Sequence, residues 1–146
     1  VTESFSPTGW SRKGLLDYDF GAVVVAKRDD FIQNVLGSAG WDMTGAADLS
    51  SGVTLLGFPA DAPFNGTRLF QCKGPVTSGI ENLPRELGVG CDMTGGSSGG
   101  PWFVGPDNTI VAVNSNGPRN EMWGPLLSSN ELSAMKSAEN FQVAGG

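Results

Sequence analysis

Glycine and proline interrupt this sequence so often that no apolar run in it is long. The chain of 146 residues contains 22 glycines and 9 prolines, which are scattered among valine-rich and leucine-rich runs instead of being gathered in a linker. This distribution is typical of many short strands joined by turns. With 39% hydrophobic residues, the chain is also long enough to form a real core. We therefore expect an all-β fold.

The balance of charge argues against two classes of partner. Nine basic and fifteen acidic side chains leave a formal net charge of −6. Nucleic acids and anionic membranes are recognised through positive patches, so we expect neither as a partner. No apolar run approaches the roughly 18 residues of a membrane span. The opening stretch VTESFSPTGW lacks the basic and apolar parts of a signal peptide.

Short apolar runs bounded by turn signals predict the individual strands. Residues 20–26, FGAVVVA, place β-branched side chains one after another, which favours a strand buried on both faces. Two hairpins are also predicted. The first joins residues 52–58 to residues 67–72, and the second joins residues 102–104 to residues 109–114.

Only the end of the chain has helical periodicity. Within residues 130–141, Leu132, Met135 and Phe141 fall near one face of a helix. Ser129 precedes them and can cap the first turn. We expect one helix here, packed against the β structure.

The two cysteines, Cys72 and Cys91, favour an intrachain disulfide over two buried thiols. No histidine or second cysteine pair accompanies them, so we expect no zinc site and no other metal or cofactor. The bond would close a loop of about twenty residues and add roughly 3 kcal/mol. Disulfides persist in oxidising compartments, which predicts a secreted, extracellular protein. In that setting the triplet Asn65-Gly66-Thr67 makes Asn65 a glycosylation candidate.

The stretch CDMTGGSSGGPW, residues 91–102, gathers four glycines around two serines. Glycine costs conformational entropy on folding, so such a cluster is kept mainly where the backbone turns sharply or approaches another group closely. A serine nucleophile presented beside bare amide donors is one such place. A flexible loop without chemistry is the alternative that this stretch alone leaves open.

Three stretches resemble motifs of the trypsin-like serine proteases. Residues 96–101 are similar to the Gly-Asp-Ser-Gly-Gly-Pro signature around the nucleophile, with serine in place of its aspartate, and the wider MTGGSSGGPW looks most like the glutamyl-endopeptidase branch. Residues 18–25 resemble the Tyr-Asp-Tyr-Gly-Ala stretch that carries the catalytic aspartate of that branch. Residues 112–117 resemble the strand that lines the primary specificity pocket. The three matches follow the order of the family along most of the chain.

The resemblance implies a chymotrypsin-like double β-barrel and an endopeptidase that uses a Ser-His-Asp triad on peptide or protein substrates. Residues 1–45 would be the end of the first barrel, and residues 46–146 would be the second barrel with its C-terminal helix. Ser98 would be the nucleophile, and Asp19 would orient the general base. The backbone amides of Gly96 and Ser98 would form the oxyanion hole.

The sequence contains no histidine, so it lacks the general base of that mechanism. In the family the histidine precedes the aspartate on the first barrel, which would place Val1 after it. We expect a separate N-terminal chain of the same precursor to supply the histidine and the missing strands. The association would be noncovalent, since the two cysteines already pair with each other. The alternative is a catalytically inactive relative that keeps the protease fold as a binding module.

The resemblance also implies which residues meet the substrate side chain, namely Asn114, Ser115 and Gly117 of the pocket strand. In glutamyl-specific relatives a histidine at the position of Asn114 helps to hold the substrate carboxylate, whereas asparagine carries no charge. Asp92 stands six residues before the serine, the offset at which trypsin carries the aspartate that selects arginine and lysine. Asp92 could instead cap a turn, and Met93 could fill the pocket. The cleavage preference is therefore open.

Overall fold

The computed structural model describes residues 2–27, 29–80 and 83–144. Within these ranges the chain is mostly β, which confirms the expected fold class. The strands are β1 (Glu3–Phe5), β2 (Ala22–Val24), β3 (Val53–Gly57), β4 (Phe70–Gly74), β5 (Thr77–Ile80), β6 (Leu83–Gly90), β7 (Pro101–Val104), β8 (Thr109–Val113) and β9 (Glu121–Pro125). The helices are α1 (Thr8–Lys13), α2 (Ile32–Leu36) and α3 (Ser129–Ala144), with a 3-10 turn at Leu16–Tyr18.

The strands form three antiparallel sheets. β1 pairs with β2, β3 lies between β4 and β7 with β8 beside β7, and β6 lies between β5 and β9. Both hairpins expected from the sequence are confirmed, because β3 pairs with β4 and β7 pairs with β8. A bridge between Ala112 of β8 and Leu126, just after β9, joins the two larger sheets. These sheets therefore enclose one shared interior.

The main core lies between the two larger sheets. β3 alternates buried and half-buried residues, so Val53 and Leu55 point inward. Trp102 of β7, Val111 of β8 and Leu87 of β6 meet them there and are almost completely shielded from solvent. Since β7 begins where the glycine-rich stretch ends, this core anchors one end of that stretch.

A second, smaller core cluster joins α3 to the β1–β2 sheet. Phe20 and Leu127 pack there, and Ala22 of β2 is partly buried against them. Val23, the next residue of β2, points to the other face and is 60% exposed. The expected burial of residues 20–26 on both faces is therefore wrong for this chain, and only β2 is strand. The reason is that α3 packs against one face of this sheet, while the face that carries Val23 is open to solvent.

The last helix, α3, is longer than the predicted residues 130–141, and its cap lies at Ser128 and not at Ser129. The backbone N–H of Ser128 donates a 2.8 Å hydrogen bond to Oε2 of Glu131, the reciprocal half of a capping box. The side chain of Phe141 lies outside the described residues. As expected, one face of the helix packs against the second core cluster, through Leu132 and Met135.

A disulfide joins Cys72 of β4 to Cys91, which directly follows β6. The two Cα atoms are 5.6 Å apart, and the bond links the two larger sheets. The pairing that the sequence favoured is thus present. In the described ranges, no helix combines the length and the apolar character needed to cross a membrane.

Candidate active site

Glycines shape the loop that presents Ser98 between β6 and β7. Gly96 has a φ of 99°, and a Cβ at this position would lie 2.9 Å from the carbonyl oxygen of Phe58. A Cβ on Gly100 would overlap the carbonyl oxygen of Leu56. Glycine is therefore required at position 96 for its positive φ and for the close approach of the Phe58 carbonyl. At position 100 it is required only for the close approach of the Leu56 carbonyl.

Hydrogen bonds hold this loop on both sides of Ser98. The hydroxyl of Ser97 donates to the carbonyl of Thr94 at 2.8 Å. The amide of Gly99 donates to the carbonyl of Asn114 at 2.8 Å. The stretch is thus a hydrogen-bonded turn fixed to the neighbouring strand, and the alternative of an unstructured flexible loop does not apply.

Ser98 is exposed on this turn. Within the described residues its hydroxyl makes no hydrogen bond, and the backbone amides of Ser98 and Gly96 donate none. Unpaired amides beside an exposed hydroxyl are available to bind an oxyanion as it forms. They are the two donors that the resemblance implied for the oxyanion hole.

Asp19 directly follows the 3-10 turn, and its carboxylate is held by Ser115. The amide of Asp19 donates to the carbonyl of Leu16 at 2.9 Å, which closes the turn. The hydroxyl of Ser115 donates to Oδ2 of Asp19 at 2.6 Å, a short charge-assisted bond that fixes the carboxylate. The sequence implied only a substrate contact for Ser115 and missed this one, because the two residues are 96 positions apart.

Asp19 and Ser98 face the same small cavity. Its volume is about 150 Å³, and its walls are Asp19, Phe20, Gly21, Ser98, Gly99, Val113 and Asn114. A cavity of about this volume holds a benzene molecule when its walls are apolar, so this cavity has room for an imidazole ring. The chain itself has no histidine that could enter it.

A larger cavity of about 350 Å³ opens beside the same turn. Its walls come from the segment 92–98 and from residues 115–122, and they include Asp92 and Gly117. Asp92 is exposed there. Met93 is buried and packs in the main core, so it forms part of the wall and does not fill the cavity. The larger cavity can accept a side chain next to the Ser98 hydroxyl.

Asn114 does not line this larger cavity. It is only 2% exposed. Its Nδ2 donates to the carbonyls of Leu56 and Ser97, each at 2.9 Å, and its Oδ1 accepts from the indole N–H of Trp102 at 2.7 Å. The side chain therefore ties the nucleophile loop to β3 and β7, and it is not available to hold a substrate.

Asn65 lies in an exposed turn between β3 and β4. Its Oδ1 accepts hydrogen bonds from the backbone N–H of Thr67 at 3.1 Å and from the hydroxyl of Thr67 at 2.7 Å. The exposure suits a glycosylation acceptor. Glycosylation at Asn65 stays a prediction.

A buried carboxylate that the sequence analysis missed lies near Asp19. Glu86 of β6 is fully buried, and burial raises its pKa to about 7, with the charges of Asp17 and Asp19 acting in the same direction. A hydrogen bond from Asn116 lowers the pKa by less. No local signal marks Glu86, since only the fold brings it to these residues. In the described part of the chain, no group of three or more acidic, cysteine or histidine residues could hold a metal ion.

Searches of known sequences and of solved structures relate this chain to proteases. The chain is 32% identical over 117 residues to a glutamyl endopeptidase of Bacillus licheniformis, covering 80% of this chain and 33% of that protein. It matches the crystal structure of the protease Anisep from Arthrobacter nicotinovorans with a TM-score of 0.84 and 34% identity, covering 93% of this chain and 64% of that one. It matches the crystal structure of AL20, a thermostable serine protease from an extremophilic microorganism, with a TM-score of 0.79 and 30% identity. This match covers 99% of this chain and 67% of AL20. No protein-family profile matches the chain.

The relatives are longer than this chain. It spans about a third of the length of the glutamyl endopeptidase and about two thirds of the length of each solved protease. About a third of each solved protease therefore has no counterpart among these residues.

Proposed function

Because this chain belongs to the chymotrypsin-like serine proteases, we propose that it supplies the nucleophile, the orienting aspartate and the oxyanion donors of a serine endopeptidase. The observation that carries this proposal is the small cavity that Asp19 and Ser98 share. In the same proposal, residues 1–45 belong to the first barrel, and residues 46–146 form the second barrel with α3.

In the proposed reaction, Ser98 attacks the carbonyl carbon of the scissile peptide bond. A histidine in the small cavity takes the hydroxyl proton and gives it to the leaving amine, while Asp19 holds the imidazole in the required orientation. The amides of Gly96 and Ser98 bind the oxyanion of the tetrahedral intermediate. Water then hydrolyses the acyl-enzyme on Ser98 by the same steps and releases the second product.

The histidine comes, in this proposal, from a separate N-terminal chain of the same precursor. Its support is that the small cavity has room for an imidazole ring and that these residues include no histidine to enter it. The exposed face of the β1–β2 sheet, with Val23 60% exposed, suits a partner that adds strands there. Since Cys72 and Cys91 pair with each other, the heterodimer is noncovalent.

Intact mass spectrometry of the native protein tests both parts of this proposal. We expect a second, histidine-containing chain in the native spectrum and one covalent adduct on Ser98 after treatment with a fluorophosphonate. Ser98→Ala should take no label, whereas Ser137→Ala, on the exposed side of α3, should be labelled like the wild type. A native, folded sample that holds these residues alone and takes no label would contradict the proposal.

A catalytically inactive binding module is the second candidate, and the larger cavity beside Ser98 is the observation that favours it. Such a module would use the larger cavity to bind a peptide and would neither cleave it nor react with the fluorophosphonate. The exposed Ser98 with its unpaired amides favours the enzyme, because a binding module has no chemical need for that arrangement.

We also propose that Asp92 contributes to the cleavage preference. It lines the larger cavity with Arg119 and Glu121, and its carboxylate would attract an arginine or lysine side chain. Its exposure to water keeps the effect modest. In a mixed peptide library, Asp92→Ser should cut the rate of cleavage after basic residues about tenfold, whereas Asp107→Ser, an exposed acid elsewhere, should not. An unchanged preference in Asp92→Ser would remove this role.

An extracellular location is the last part of the proposal. The disulfide between Cys72 and Cys91 supports it, because such bonds persist in oxidising compartments. The native protein should be recovered from the culture medium, and alkylation of the denatured, unreduced chain should modify neither cysteine. Two free thiols would contradict the oxidised setting.

A further inference from the structure

A chain of hydrogen bonds connects the buried Glu86 to Asp19. The hydroxyl of Ser115 donates to Asp19 at 2.6 Å and accepts from Nδ2 of Asn116 at 3.1 Å. The same Nδ2 donates to the two carboxyl oxygens of Glu86 at 3.3 and 3.4 Å. The path thus runs from β6 through the segment before β9 to the residue that follows the 3-10 turn.

The backbone around this path is fixed. The amides of Ser115 and Asn116 both donate to the carbonyl of Trp123 in β9, at 3.0 and 3.2 Å, and the amide of Trp123 donates to the carbonyl of Asn116 at 2.6 Å. Glu86 lies on β6, which pairs with the same strand β9, opposite Pro125. With the backbone held on both sides, what can vary along the path is the protonation of Glu86.

We propose that Glu86 is a positioning residue, which holds Asn116 and through it the Ser115 hydroxyl that orients Asp19. This role rests on the proposed function. The carboxyl group also sets the charge near Asp19, because ionised Glu86 adds a second negative charge to the neighbourhood of the proposed catalytic histidine. That charge stabilises the imidazolium form of the histidine.

No cation offsets the charge of Glu86 in the part of the chain that the structure describes. The groups that act on it are Asp17 and Asp19, both negative. The adjacent Arg85 pairs at 2.8 Å with Glu131 of α3, and its guanidinium lies over the ring of Tyr18. The remaining titratable or charged groups on the strands beside β6 are exposed, namely Lys73 of β4 and Glu121 of β9.

The direction of the effect follows from these charges. Burial holds the pKa of Glu86 at about 7, so its ionisation coincides with the pH range in which a histidine loses its proton. Removing the negative charge of Glu86 therefore lowers the pKa of the proposed catalytic histidine. The general base is then free at a lower pH.

The test is Glu86→Gln in the complete protein with its histidine-bearing chain. Glutamine keeps the shape of the side chain and an acceptor for Asn116, but it cannot ionise. The rate constant of fluorophosphonate labelling at Ser98 is measured against pH. We expect the midpoint of the acid limb to move down by about 0.5 pH unit. Glu131→Gln is the matched control, since Glu131 is equally buried but bonds to Arg85 and Ser128, and its midpoint should not move.

A second variant tests the hydrogen-bond path even if Glu86→Gln folds poorly. Asn116→Ala removes the connecting amide and should lower the labelling rate on the alkaline plateau about fivefold. The positioning role is overturned if Glu86→Gln has the same midpoint as the wild type, or if Asn116→Ala has the same plateau rate. As long as the wild-type protein is labelled, either result leaves the proposed function unaffected. A complete wild-type protein that takes no label at any pH overturns the proposed function and this role with it.

Discussion

A buried polar side chain, Asn114, determines the position of the loop that carries Ser98. Asn114 satisfies the indole N–H of Trp102 and binds two carbonyl oxygens, one from β3 and one from the loop. The bonds to Trp102 and Ser97 are buried and the bond to Leu56 is partly buried, so these partners would be costly to leave unpaired. A single amide therefore fixes the loop relative to the main core.

We predict that Asn114→Ala lowers the free energy of unfolding by about 3 kcal/mol, because it leaves buried polar groups without partners. Denaturant unfolding of the complete protein measures the change. Asn34→Ala, at an exposed position on α2, is the control and should cost less than about 0.5 kcal/mol. Similar losses in the two variants would contradict the role of Asn114.

The pH dependence of stability should report Glu86. Its pKa is about 7 in the folded protein against 4.5 for an ordinary glutamate, so the folded state keeps a proton that the unfolded state releases. The stability that the protonated group contributes is complete below about pH 4.5 and is lost as the pH rises to about 7. Relative to Glu86→Gln, the free energy of unfolding of the wild type should fall by about 3 kcal/mol across this window.

Thermal or denaturant unfolding at several pH values measures that difference. Glu3→Gln, at an exposed position, controls for the loss of one charge. A constant difference between wild type and Glu86→Gln from about pH 4.5 to about pH 8 would contradict the raised pKa.

Among the elements, the loop between β6 and β7 is the one whose conformation depends most on glycine. Gly96 and Gly99 both have positive φ, at 99° and 80°. A Cβ on Gly96 would crowd Ala60 and the carbonyl of Phe58, whereas a Cβ on Gly99 would meet nothing within 4 Å. Alanine at position 99 would therefore suffer backbone strain alone, whereas alanine at position 96 would suffer backbone strain and a steric clash.

We predict that Gly99→Ala costs about 1 kcal/mol in the free energy of unfolding, from backbone strain alone. Gly96→Ala should cost at least about 2 kcal/mol more, because the loop must also move away from the residues after β3. The same shift should slow fluorophosphonate labelling of Ser98, since the amide of residue 96 moves with the loop. Equal unfolding free energies for the two variants would show that packing at Gly96 has no effect.

At the scale of the whole molecule, the sheets differ in how completely they are covered. The larger sheets share a closed core, whereas the β1–β2 sheet is covered by α3 on one face only. Ala22 packs against the second core cluster, so Val23, the next residue of β2, points to the opposite, open face. We have proposed that the histidine-bearing chain covers this face.

We predict that Val23→Asp weakens the association of the two chains at least tenfold, because it places a charge in an apolar contact. Leu69→Asp is the matched control, since Leu69 is 56% exposed next to β4, away from the β1–β2 sheet. Analytical ultracentrifugation of the reconstituted chains gives both affinities. If Val23→Asp associates like the wild type, the partner does not cover this face.

The sequence by itself determined the features whose signals are local. Alternating residues and turn chemistry identified both hairpins, and apolar spacing identified α3, because these preferences act over a few neighbouring residues. The cluster of glycines likewise predicted the turn around Ser98, because the conformational freedom of glycine is a property of the single residue. The prediction that Ser129 caps α3 is wrong by one residue, because the capping box begins at Ser128.

Only the tertiary structure decided the environments of the side chains at the site. The bond from Ser115 to Asp19 spans 96 residues, and the bonds of Asn114 reach β3, β7 and the loop between β6 and β7. The burial of Glu86 and the exposure of Val23 depend equally on which surfaces pack together. A residue type states what a side chain can bond to, but its burial and its partners follow from contacts between distant segments, and those contacts exist only once the sheets have assembled.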